Sequence, residues 1–180
     1  MVSEPTRNIA AVESGGRSYV FYINSDHKLC YLLSPSGRNN NDFDQQTITI
    51  PNVDLKIKCG SEQIAAVAWE GKGGREEIRV YCVLEDKSDP EKRGYVQEIC
   101  FSTSNANGWE LGLLGYAAPR SYVAEGSSLS ASVQVLPDRA DIKLFAFEKG
   151  KDSVKVNLHS YSYTAQDWVS KTISGKIVAW

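Results

Sequence analysis

The stretch from Gln63 to Gly112 limits the fold more than any other part of the chain. It opens on an apolar run, Ile64 to Trp69, which ends at Gly71, Gly73 and Gly74. A second run, Ile78 Arg79 Val80 Tyr81 Cys82 Val83, mixes polar and apolar residues. A charged loop leads to a third, Gly94 to Phe101. Asn107 and Gly108 then precede a short fourth, Trp109 to Leu111. Runs of about five to eight residues bounded by Gly, Asp, Asn or Ser are strands joined by turns. Four in succession make one up-and-down antiparallel sheet, the unit of a propeller blade. Arg79 and Glu98 are unusual because they stand inside strands rather than in loops. They face one ligand together, or they form an ordinary cross-strand ion pair.

The pattern recurs. Blade-like copies span roughly 7–50, 62–114 and 127–175, and an apolar tail covers 176–180. The first copy places its strands at 8–12, 18–23, 27–32 and 47–50, and the third places them at 128–133, 141–147, 156–163 and 167–175. The period of roughly 55–65 residues is longer than that of WD40 or kelch blades, and neither of those patterns recurs. No window of a dozen residues shows helical periodicity. The expected architecture is all-β: one β-propeller domain over 1–180, built of four-stranded antiparallel blades, about three per chain. The loop Asp86–Arg93, charged and containing Pro90, reads as a solvated hairpin tip. The segment Tyr116–Ser127 reads as an inter-blade connection.

Composition removes several classes of function. A net charge of −2 with no run of Lys and Arg argues against nucleic acid. The apolar runs are too short to span a membrane as helices. The first residues lack the layout of a signal peptide, which points to the cytoplasm, with removal of a leader or export by another route left open. Cys30, Cys59, Cys82 and Cys100 lack metal-ligand spacing and read as reduced thiols. His27 and His159 lie in unrelated contexts. No metal, no cofactor and no Cys/His nucleophile is therefore expected.

The middle copy resembles a blade of the fungal fucose-binding propeller lectins, the Aleuria type. The residues that carry the resemblance are Ile64–Trp69, Arg79–Tyr81, Glu98 and Trp109–Gly112. Ile142–Phe145 matches more loosely, and the C-terminal Trp180 fits the family's apolar tail. The resemblance implies sugar sites between neighbouring blades. One blade supplies Arg and Glu, and the next supplies an aromatic wall and a Trp. Carried over, Arg79, Glu98, Tyr163 and Trp168 form a complete set between the second and third blades. A weaker pocket between the first and second blades would have Phe101 and Trp109 as walls, with Tyr19 at the Arg place and Tyr31 at the Glu place. In the third blade Lys143 takes the Arg place and Ser160 the Glu place. The implied function is a lectin for L-fucose or fucosylated glycans, without catalysis. The alternative is a propeller-type interaction or structural module with degenerate sugar sites. The family has six blades, so the resemblance also implies a homodimer that completes the ring.

The chemistry suits a neutral sugar. A carboxylate only accepts hydrogen bonds, so Glu98 can take protons from two adjacent hydroxyls. A guanidinium only donates, and Arg79 can reach a hydroxyl and a ring oxygen together. Aromatic faces cover a C–H face or a methyl group. A glycosidase needs a carboxylate pair or a Tyr nucleophile with an acid, and the aligned set holds one carboxylate.

Overall fold

The computed structural model describes residues 8–35, 42–116, 120–149, 154–162 and 166–173, and among them the chain is all β. The three copies fold into three four-stranded antiparallel sheets, each a meander in chain order. Blade 1 is β1 (Ile9–Ser14), β2 (Arg17–Ile23), β3 (Leu29–Leu33) and β4 (Asp44–Thr47). Blade 2 is β5 (Ile64–Gly71), β6 (Arg75–Glu85), β7 (Gly94–Ser102) and β8 (Trp109–Leu111). Blade 3 is β9 (Leu129–Val135), β10 (Ala140–Lys149), β11 (Val154–Ser162) and β12 (Asp167–Thr172). β5 packs against both β1 and β9, so the first strands of the blades form the inner seam.

The period of two along a strand sends alternate side chains to opposite faces. In β6 that rule makes two cores. Ile78, Val80, Cys82 and Leu84 meet Tyr19, Phe21 and Ile23 of blade 1. Tyr81 and Val83 meet Ile142, Leu144 and Ala146 of blade 3. Blade 2 is thus covered on both faces, which explains why β6 and β7 are buried along most of their length. Each fully buried side chain such as Phe21, Ile99 or Leu144 contributes about 1.5–3 kcal/mol. Blades 1 and 3 each cover one face only.

Two expectations need correction. The last strand of blade 1 lies at Asp44–Thr47, not at Thr47–Ile50. Its four residues are all exposed and polar, so no hydrophobic pattern marks it, while Ile48 turns into the core. The loop Asp86–Arg93 is a solvated tip only in part: Lys87, Ser88, Pro90, Glu91 and Lys92 are exposed, but Asp86 and Asp89 are buried. Asp86 is only 2% exposed and accepts bonds from Ser88 N (2.9 Å), Ser88 Oγ (2.6 Å) and Tyr122 Oη (2.8 Å), beside an ion pair with Arg120. Burial alone would raise its pKa, but the bonds from Arg120, Ser88 and Tyr122 outweigh it and hold the carboxyl well below its ordinary value. Asp89 is held by Arg93 Nε at 2.7 Å. Buried charge is tolerated where donors surround it. Arg93 lies over the Tyr122 ring and Arg120 over the Tyr95 ring, at 4.0 and 4.4 Å. These contacts fasten the hairpin to the connection between blades 2 and 3. All four cysteines are free; Cys59 is exposed and the other three are buried.

The tail 176–180 and Tyr163 lie outside the described residues.

Candidate functional site

The junction between blades 2 and 3 brings together three of the four predicted residues. Arg79 sits in β6 and Glu98 in β7, on the face turned toward blade 3. They are not directly opposed. Arg79 pairs with Cys100, and Glu98 pairs with Tyr81, so the two charges lie diagonally across the ladder. Arg79 Nε is 3.9 Å from Glu98 Oε1, too far for a direct hydrogen bond. Trp168, in β12, reaches across the junction and donates its indole N–H to Glu98 Oε2 at 3.2 Å.

Each charge is held by its surroundings. Arg79 Nη1 donates to Glu77 Oε2 (3.2 Å) and to the carbonyls of Ile78 (2.9 Å) and Phe101 (3.2 Å). Glu77 is itself fixed by Ser102 Oγ at 3.0 Å. The guanidinium lies 4.9 Å from the centre of the Trp69 ring, a cation–π distance. Glu98 is only 4% exposed, and its Oε1 accepts from Tyr81 Oη at 3.3 Å. Gly112 lies flat against the carboxylate, where a Cβ would collide with it. Gln97 fixes that approach by donating to the carbonyls of Glu98, Gly112 and Leu114 at 2.8, 3.1 and 2.9 Å.

Burial pushes the Glu98 carboxyl above its ordinary value, against the opposing pull of Arg79, Trp168, the backbone and Tyr81. Burial works against the Arg79 charge too, but Cys100, Glu98 and Glu77 more than offset it and raise its pKa. The two shifts differ in meaning. Arg79 is stabilised as a cation, whereas desolvation dominates at Glu98 because its nearest cation is not in hydrogen-bond contact.

The aromatic wall is shifted from its expected place. In blade 2, Phe101 stands opposite Trp109 in the ladder. In blade 3 the residue opposite Trp168 is Tyr161, and their rings lie 6.0 Å apart at 70°. Tyr161 therefore stands opposite Trp168 as Phe101 stands opposite Trp109, while Tyr163 lies outside the described residues. The same register moves the Glu place of blade 3. Lys143 pairs with Ser160, and the residue opposite Phe145, as Glu98 is opposite Tyr81, is Leu158. Counting along the third strand missed this by two residues. Tyr81, Trp69, Glu77 and Gly112 were also missed, although strand alternation already put Tyr81 on the same face as Arg79.

The junction between blades 1 and 2 is filled differently. Tyr19 and Tyr31 do occupy the places of Arg79 and Glu98. Val12 pairs with Tyr19 as Val67 pairs with Arg79, and Phe21 pairs with Tyr31 as Tyr81 pairs with Glu98. There the rings close on one another. Trp109 is 5.8 Å from Phe21, 5.8 Å from Tyr31 and 5.2 Å from Phe101. Tyr19 stacks on Phe21 at 6.1 Å. Trp109 is only 8% exposed. This is packed core at the position where the next junction holds charge.

Two cavities of about 250 and 130 Å³ lie elsewhere, at the β6–β7 hairpin end of blade 2 and beside Cys59. The larger is charged, but its charges pair with one another: Lys56 with Glu85 at 2.9 Å, Lys87 with Asp54 at 2.8 Å, and Arg120 with Asp86. Neither includes Arg79, Glu98 or Trp168.

No family model and no curated protein matches this sequence. Among solved structures, the chain is similar to Aleuria aurantia lectin, seen as an asparagine-to-glutamine mutant in complex with Fucα1-6GlcNAc. The TM-score is 0.67 at 19% identity, over 93% of this chain and 50% of that one. The fold is a β-propeller fold. The chain spans about half the length of the lectin chain it matches.

Proposed function

We propose that this chain is a carbohydrate-binding lectin for L-fucose or fucosylated glycans, acting without catalysis at the junction between blades 2 and 3. The observation that carries the reading is the 3.9 Å gap between Arg79 Nε and Glu98 Oε1. One sugar hydroxyl fits that gap, accepting from Arg79 and donating to Glu98 at ordinary hydrogen-bond lengths. The neighbouring hydroxyl has the other Glu98 oxygen and the Trp168 N–H within reach, because those two already meet at 3.2 Å. Tyr161 and Trp168 supply apolar surface for a C–H face or a methyl group. The lectin of similar fold is in complex with Fucα1-6GlcNAc, which supports the choice of sugar.

Binding without turnover is supported by the commitments of the two carboxylates near Arg79. Glu77 is tied to Arg79 and Ser102, and Glu98 to Tyr81 and Trp168. A second reading is a propeller that binds protein through its surface. The aromatic packing between blades 1 and 2 favours it, since one of two internal junctions has no Arg–Glu set. Calorimetric titration with fucose, galactose and mannose separates the readings. The lectin reading expects saturable heat with fucose near one site per chain. Absence of heat with fucose and with fucosylated glycans overturns it.

A further inference from the structure

We propose that the outer faces of blades 1 and 3 form an interface, and that its occupant is a second copy of this chain. The contact would occur twice and close a ring.

The argument begins with strand pairing. In blade 1 the face turned away from blade 2 carries Ile9, Ala11, Val20, Tyr22 and Leu32, which are linked directly across the ladders. These match Ile64, Ala66, Val80, Cys82 and Ile99, the residues by which blade 2 packs on blade 1. In blade 3 the face turned away from blade 2 carries Phe145, Phe147, Val156 and Leu158, with Val169 and Ile173 on the last strand. Phe145, Phe147 and Val156 match Tyr81, Val83 and Val96, by which blade 2 packs on blade 3. The two outer faces are therefore the two halves of a contact the chain already makes twice within itself. Each half has an apolar surface of the required kind.

Among the described residues both halves are open in part, with Val20, Tyr22, Leu32, Phe145, Phe147, Val156 and Leu158 half-buried. Ile9 is 65% exposed and Phe43 is 42% exposed, and Val169 and Ile173 are also exposed. Apolar side chains grouped on an open sheet face mark an interaction surface. Two-fold pairing satisfies both faces at once, blade 3 of each copy against blade 1 of the other.

The new junctions would differ from the sugar site. Lys143 stands at the Arg place and Leu158 at the Glu place. Across from them, Ser34 and Phe43 stand one residue beyond the last β3–β4 pair, at the places of Tyr161 and Trp168. A junction with no carboxylate serves as glue, so sugar stoichiometry stays at one per chain.

Light scattering of the chain at micromolar concentration tests the interface. The expected mass is about twice the single-chain 19.9 kDa. A single-chain mass, or that of a trimer, overturns the proposal. Two face variants, Ile9→Glu and Phe145→Glu, should each bring the mass down to one chain, with an unchanged far-ultraviolet dichroism spectrum. A variant that keeps both its spectrum and the doubled mass overturns the assignment of these faces. Fucose titration of the same variants keeps this test apart from the lectin reading, because neither residue lies in the sugar site.

Discussion

The two internal junctions of this chain share one backbone plan and differ in what fills it. Between blades 1 and 2, Tyr19, Tyr31, Phe101 and Trp109 interlock as rings. Between blades 2 and 3, the same ladder places hold Arg79, Glu98, Tyr161 and Trp168. The first arrangement needs no ligand, because each aromatic face already has an apolar neighbour. The second buries a carboxylate with its nearest cation just out of bonding range. One repeated contact is thus filled by packed rings in one copy and by a charged pair in the other.

The comparison can be broken most forcefully from the aromatic side. Trp109→Ala should cost about 3–5 kcal/mol of stability, the range for removing a buried large aromatic. In chemical denaturation its midpoint should fall steeply, while any folded fraction keeps its fucose affinity. Loss of affinity without loss of stability would mean that the sugar sits in the other junction. Asp86→Ala comes next. It strands the donors of Ser88, Tyr122 and Arg120 at the hairpin end and should cost roughly 2–4 kcal/mol with sugar binding retained. Denaturation followed beside fucose titration checks both halves of that expectation.

On the recognition side, Arg79→Ala and Glu98→Gln should each weaken fucose binding by one to two orders of magnitude. A charge-assisted hydrogen bond is worth about 1.5–3 kcal/mol. Titration of either variant at wild-type affinity would remove the pocket assignment. Gly112→Ala should act more mildly, by pushing the Glu98 carboxylate out of place, and should lower affinity without unfolding the chain.

Much of this plan was legible in the sequence, and the parts that were not have physical reasons. Apolar runs bounded by turn residues gave away the strands of blade 2, because both of its faces are covered. β4 went unseen where expected because an exposed edge strand made of Asp44, Gln45, Gln46 and Thr47 has no apolar face to announce it. Arg79 and Glu98 stood out as charges inside strands, and Trp168 was carried over from the family resemblance. Tyr161 was missed because the wall place was counted along one strand rather than read across the ladder from Trp168. The burial of Asp86 was hidden because its partners Arg120 and Tyr122 come from more than thirty residues away.

A pH titration gives the smallest and most specific effect. The Glu98 pKa lies above the ordinary 4.5, so its carboxylate is lost on acidification before a surface glutamate's would be. Fucose affinity should fall as pH drops through that raised value. The folding term has the opposite sign. A carboxyl whose pKa is raised by folding adds stability below its unfolded value, and that stability is lost as pH rises through the folded value. Between the two values the free fold should gain stability while sugar binding declines. Parallel loss of both on acidification would place the pH effect outside Glu98.

The most direct test of the difference between the junctions uses the tryptophans as reporters. The chain has four, and Trp109 and Trp168 occupy matching places in adjacent junctions. In proton–nitrogen spectra of the labelled protein, titrated with fucose, the indole N–H resonance of Trp168 should move saturably, because its bond to Glu98 lies at the sugar's position. The Trp109 resonance should stay in place. Movement of Trp109 with Trp168 unmoved would contradict the account.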